Sequence, residues 1–150
     1  MYGGEAKIPD DVDLLVAGFA CDDFSTLNNV RKTLEEKGES GDTFFAVKMY
    51  MHLYHPKLVV LENVMGAPWT DESLAAQKKK KKNQTSIAAH LDQIGYHSIH
   101  LKVDTKEYYL PHTRQRGYMV CIDRASMPGD TKWAAMEAAC TSMIESLKRT

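Results

Sequence analysis

Apolar positions fall along this chain in two patterns. Val12-Asp13-Leu14-Leu15-Val16-Ala17 and Leu58-Val59-Val60-Leu61 are almost unbroken apolar runs. They predict short strands covered on both faces, as in a parallel sheet. Tyr96 to Val103 instead alternates, with Tyr96, Ser98, His100 and Lys102 set against His97, Ile99, Leu101 and Val103. That pattern predicts a half-exposed strand. Tyr118-Met119-Val120-Cys121-Ile122, within 117–123, reads as a further strand. Helical spacing appears in Phe44, Phe45, Val47, Met51 and Leu53, predicting a helix over 43–54 capped by Asp42 or Ser40. His55-Pro56 should end it. A second helix is predicted from Asp71 to Ile94, interrupted around the lysines and stopped by Gly95. A third, over 131–148, would start at Asp130 and carry Trp133, Met136, Ala139, Met143, Ile144 and Leu147 on one side. Residues 18–41 are polar, with glycines at 38 and 41, and read as a long loop of the kind that usually carries function. Strands alternating with helices predict an α/β fold.

Composition narrows the class. A chain of 150 residues suits one domain with a real core, here 1–150. Formal net charge is -1, so no global basic field points to nucleic acid, and basic surface must be local. The local candidates are Lys78 to Lys82 and the Arg114/Arg116 pair. The lysine run reads as a solvated insert, a phosphate contact or a nuclear address. No apolar run reaches membrane-span length, and the first residues lack the basic start and apolar stretch of a secretory signal. An intracellular location is expected, nuclear in a eukaryote, with no membrane partner. The cysteines, Cys21, Cys121 and Cys140, have no metal-like spacing. His52/His55 and His97/His100 lack companions suited to zinc, so no metal is expected.

Three segments carry chemistry, and each closes or follows a predicted strand. Gly18-Phe19-Ala20-Cys21-Asp22-Asp23-Phe24-Ser25 offers a thiol just past a strand's carboxyl end, where open α/β sheets place their sites. The thiolate is the attacking species, and the carboxylates of Asp22 and Asp23 work against that charge. Cys21 therefore reads either as a nucleophile or as a small buried apolar residue. Glu62-Asn63-Val64 offers a carboxyl group at the end of four apolar residues, either a proton donor or a solvated strand end. His112-Thr113-Arg114-Gln115-Arg116 offers two guanidinium forks, suited to a carbonyl oxygen or a phosphate, or else a solvated basic turn.

In this order, the three segments resemble the catalytic half of the cytosine-5 DNA methyltransferases, over about Val12 to Asp123. Gly18, Cys21, Phe24 and Ser25 match the family's Gly-x-Pro-Cys-Gln-x-Phe-Ser element, with Ala20 in place of proline and Asp22 in place of glutamine. Glu62-Asn63-Val64 matches its Glu-Asn-Val element. Arg114 and Arg116 match its Gln-x-Arg-x-Arg element, with His112 in place of glutamine. The resemblance implies that Cys21 adds to carbon 6 of cytosine and that Glu62 donates to ring nitrogen 3. It places Arg116 on the base carbonyl and Arg114 on the flipped nucleotide's backbone or near the nucleophile. Ala20 would offer its carbonyl to the exocyclic amine, Ser25 belongs to the same element, and Asn63 would hold the nucleophile loop.

The resemblance also implies a partial Rossmann-like (class I methyltransferase) sheet of about four strands, the last pair antiparallel. S-adenosylmethionine is the implied methyl donor, yet the family's Phe-x-Gly-x-Gly loop has no counterpart here, because Gly3-Gly4 follows no strand. The cofactor-binding residues are unknown. The chain is thus expected to be a fragment of a cytosine-5 methyltransferase, inactive alone. Its apolar strand 12–17 would become a sheet edge that takes a complementing methyltransferase chain or a second copy. Two other readings stay open: a non-catalytic interaction or regulatory remnant, and a transfer-RNA cytosine methyltransferase. DNA is the implied partner, or RNA in the second of these.

Overall fold

The computed structural model describes residues 8–25, 32–36, 38–75, 84–127 and 130–148. Four strands form one mixed sheet: β1 (Leu14–Gly18), β2 (Leu58–Asn63), β3 (Tyr96–Asp104) and β4 (Gln115–Asp123), in the order β1-β2-β4-β3. β1 and β2 are parallel, with Gly18 opposite Glu62. β4 runs antiparallel to both β2 and β3, placing Glu62 opposite Tyr118 and Val103 opposite Arg116. The antiparallel pair follows from the hairpin connection, which needs no crossover helix. The α/β fold and the four-stranded sheet therefore stand as expected.

The core lies on one face of the sheet. Phe44 and Met51 of α1 (Glu39–Tyr54) join Val59 and Leu61 of β2, Met119 and Cys121 of β4, and Ile87 and Leu91 of α3 (Ile87–Asp92). Leu15 and Ala17 of β1 pack against the same cluster. Their neighbours Leu14 and Val16 point the other way, as the two-residue strand period requires. Those two side chains are 51% and 68% exposed. The sequence expectation that this strand is covered on both faces is corrected here, because no described element lies over that side of β1.

β3 departs from expectation in the opposite sense. His97 stacks on Trp133 of α4 (Asp130–Ser146) at 4.7 Å, and His100 stacks on Trp69 at 5.2 Å. Both faces of this strand are thus packed rather than one being open. The two histidines point to opposite faces, which also explains why their spacing makes no ligand pair. Trp133 is the buried anchor of α4, whereas Met143 and Leu147, expected on its packed side, are exposed.

Two helix boundaries differ from the sequence reading. Among the described residues, the helix expected over 71–94 with an interruption around the lysines is present as α2 (Asp71–Ala75) and α3, which starts only at Ile87 with Ser86 as its cap, accepting from the Ala89 amide. Lys78 to Lys82 lie outside the described residues. α1 begins at Glu39, earlier than the predicted Thr43, with Gly38 rather than Ser40 or Asp42 at its N-cap. Its C-terminus is as predicted: His55, just before Pro56, turns left-handed at φ 45° and returns its amide to Met51. Glu35, in the segment after the cysteine, accepts from the Thr85 amide at 2.9 Å and faces His90 of α3 at 3.5 Å. His90 in turn meets Lys48 of α1 at 3.2 Å. These contacts tie residues 32–36 to both helices.

Candidate active site

The carboxyl ends of β1 and β2 and the start of β4 meet at one rim of the sheet. Because Gly18 and Glu62 are register partners, the chain leaving β1 passes directly beside the Glu62 side chain. A Cβ built on Gly18 would lie 3.5 Å from Glu62 Oε2. Across the rim, Arg116 Nε meets Glu62 Oε1 at 3.0 Å, with both side chains partly buried. The Arg116 Nη1 group also donates to the Gln115 carbonyl at 2.7 Å, which orients the fork along the strand. A charge-assisted pair of this kind is stronger than a neutral one and is less screened than a surface pair.

Asn63 ends β2 and is almost fully buried. Its Nδ2 donates to the Phe19 carbonyl at 2.8 Å and the Ala20 carbonyl at 3.3 Å. Its Oδ1 accepts from the Val64 amide at 2.7 Å. Both ends of the amide are used, so the residue clamps the two peptides that precede Cys21. The Cys21 carbonyl then accepts from the amides of Phe24 and Ser25, at 3.0 and 2.9 Å. This closes a tight turn with the half-buried thiol at its start. Phe24 drops into the core, and its carbonyl passes so near Gly66 that no side chain would fit there.

The structure therefore brings Cys21, Ala20, Ser25, Asn63, Glu62 and Arg116 to one rim. Arg114 is placed differently. It is exposed, and its backbone pairs with Thr105, whose Oγ1 accepts from the Arg114 amide at 2.9 Å. That pairing belongs to the β3–β4 hairpin end rather than to the Glu62–Arg116 contact. The other cysteines are not at the rim: Cys121 is buried in the core, where burial pushes its thiol well above the ordinary range, and Cys140 lies on α4. Cavity volume does not locate the site. The 550 Å³ cleft lined by Thr70, Asp92, His97 and Arg124 opens at the far end of β3. A 340 Å³ cleft lined by Met65, Lys102, Gln115 and Lys148 lies nearer to Arg116. Among the described residues no group of three or more His, Cys, Asp or Glu side chains is arranged to hold a metal. No helix among them is long and apolar enough to cross a membrane.

Sequence reasoning missed three groups that build this rim. Trp69 is fully buried against Phe19 at 6.3 Å and donates Nε1–H to the Val64 carbonyl at 3.1 Å. A tryptophan directly after a Gly-Ala-Pro break was the available signal. Asp23, within the Cys21 turn, and Thr43, on α1, make bonds that join the turn to the helix. Neither carries a local sequence mark, because their partners lie 17 and 23 residues away.

Known proteins resemble this chain over most of its length. Over 135 residues the chain is 37% identical to the DNA (cytosine-5-)-methyltransferase DMT5 of Cryptococcus neoformans, covering 89% of this chain and 5% of that protein. It is 33% identical over 122 residues to the type II methyltransferase M.NgoBV of Neisseria gonorrhoeae, covering 79% of this chain and 28% of the relative. The S. pombe Dnmt2 methyltransferase structure superposes with a TM-score of 0.47 at 18% identity, over 79% of this chain and 30% of that one. The chain thus spans a small part of its fungal relative and less than a third of its bacterial one. Residues 3–146 match the family described as C-5 cytosine-specific DNA methylase. With that match across nearly the whole chain, this chain belongs to the C-5 cytosine-specific DNA methylase family.

Proposed function

We propose that this chain is the pyrimidine-activating part of a DNA cytosine-5 methyltransferase. The thiolate of Cys21 bonds to carbon 6 of an extruded cytosine, and the ring's electrons move toward nitrogen 3. Glu62 delivers a proton or strong hydrogen bond there, and Arg116 holds the carbonyl at carbon 2. Ala20 presents its carbonyl to the exocyclic amine, while Asn63 and Ser25 keep the turn in shape. Arg114, from the hairpin end, reaches the nucleotide's backbone. The observation that carries this reading is the contact between Glu62 and Arg116 at the rim that also holds the Cys21 turn. Without a base, acid and guanidinium satisfy each other; a cytosine entering between them would take one partner from each.

S-adenosylmethionine does not fit the residues of this chain alone. Residues 1–150 contain no Phe-x-Gly-x-Gly loop, and β1, beside which the resemblance would put one, is an edge strand among the described residues. The donor's pocket belongs to a further segment or to a complementing methyltransferase chain that pairs with the β1 edge; a second copy of this chain would pair there non-productively. DNA is the substrate, and in a eukaryote the nucleus is the site of action.

A duplex carrying pyrimidin-2-one at the target position accepts a thiol at carbon 6 without a methyl donor. Incubated with this protein, in its full-length context or mixed with a relative's cofactor-binding half, it should give a covalent adduct that Cys21→Ser abolishes. An RNA version of the probe should react more slowly. The absence of an adduct under every condition would favour the non-catalytic remnant, a reading supported by the exposed Asp22 carboxylate next to the thiol.

A further inference from the structure

The first amides of a helix need acceptors from outside it, and α1 has no side-chain bond from its own N-cap, Gly38. The acceptor for the Ser40 amide comes instead from the nucleophile turn: Asp23 Oδ2 lies 3.0 Å away. Ser40 returns the bond, its Oγ accepting from the Asp23 amide at 3.0 Å. Both residues are buried. This is the reciprocal logic of a capping box, spread over two segments of chain. One turn further along, Thr43 Oγ1 accepts from the Ala20 amide at 3.1 Å and donates back into the helix, to the Glu39 carbonyl at 2.8 Å. A side chain at Gly38 would collide with the Asp23 carboxylate, so the two segments meet at closest approach.

Cys21 therefore sits between two points docked on the first two turns of α1, Ala20 before it and Asp23 after it. The same contact answers the part of the electrostatic objection that concerns Asp23. A carboxylate two residues from a thiol opposes the thiolate, but this one lies at the positive end of a sixteen-residue helix, which offsets its charge.

We propose that Asp23, Ser40 and Thr43 form a latch on the amino end of α1 that sets the position of Cys21 for attack. They are positioning residues, since none of them reaches the base. The inference rests on Cys21 being the nucleophile, and it adds that the thiol's aim depends on hydrogen bonds to α1.

The test uses Asp23→Ala, Asp23→Asn, Thr43→Val and Thr43→Ser in the full chain. Two rates are read: adduct formation with the pyrimidin-2-one duplex, and alkylation of Cys21 by iodoacetamide, followed by peptide mass spectrometry with Cys121 and Cys140 as internal references. Releasing the latch frees a half-buried thiol but misdirects it. Asp23→Ala and Thr43→Val should therefore slow adduct formation by about tenfold while speeding Cys21 alkylation by about threefold. Asp23→Asn and Thr43→Ser, which keep an acceptor oxygen, should stay near wild type in both. Duplex binding, read by fluorescence anisotropy, should not change. Equal losses in Asp23→Ala and Asp23→Asn would overturn the proposal in favour of a charge effect. Wild-type rates in Asp23→Ala and Thr43→Val would also overturn it. Should Asp23→Ala unfold, Cys121 becomes alkylated as well, and the threonine pair decides. Should the wild-type chain form no adduct, the methyltransferase reading fails, while the alkylation rates still report whether the latch exists.

Discussion

The sheet has two edge strands, and they are finished very differently. β3 is nine residues long, antiparallel to its neighbour, and packed on both faces by Trp133 and Trp69. β1 is five residues long, parallel to its neighbour, and leaves Leu14 and Val16 in the open. The more polar sequence makes the covered strand, and the more apolar one makes the bare strand. Apolar content alone thus does not say how well a strand is packed; it says what kind of neighbour the strand was written for. β1 is written for the interior of a sheet, and an unpaired apolar edge is a template for another chain.

The largest way to break this comparison is at Trp69, which supports both β3 and the rim. Trp69→Ala removes the stack on His100, the contact with Phe19 and the bond to the Val64 carbonyl. The expected loss is about 3–5 kcal/mol in urea denaturation. A loss as small as that of a surface substitution would mean that β3 and the rim are held by something else.

A smaller effect comes from acid. Burial against Trp69, and then the nearby Lys102, lower His100 to about 4. Burial and then Lys48 lower His90 as well. An unfolded imidazole titrates at about 6.5. Between those values the unfolded chain binds protons that the folded chain refuses, so stability falls as pH drops from about 6.5 toward about 4. The denaturation midpoint should fall over this window, and it should fall less in His100→Phe. An identical slope in the two proteins would show that the covered face of β3 does not resist protonation.

The smallest effect on stability is expected at the bare edge. Val16→Lys should change unfolding free energy by no more than about 0.5 kcal/mol, because the side chain is already solvated. It should nonetheless reduce concentration-dependent association in light scattering, as charge on an edge strand does. If wild type and variant scatter alike as monomers at high concentration, the edge is not an association surface.

Much of the rim was readable in the chain. Glu62 follows four apolar residues, and Arg116 stands just before the apolar start of β4, so each was placed at a strand end from local pattern. Cys21 was placed past β1 for the same reason. The helix boundaries were less readable. Ser40 and Asp42 both look like caps in sequence, yet the acceptor that serves α1 is Asp23, from the turn before it. Likewise, the alternation of β3 forecasts one open face because periodicity reports side-chain polarity, and neither tryptophan that covers the strand is adjacent in sequence.

By itself the sequence determined the strands, their chemistry-bearing ends and the family. These are written in short runs of residues whose period and order survive any arrangement of the chain. Tertiary structure alone decided that Glu62 faces Arg116, that Asn63 clamps the peptides before the thiol, that Asp23 spends its charge on a helix end, and that β1 stays bare. Each of these is a meeting between residues far apart in the chain, and such meetings are set by register and packing rather than by local preference.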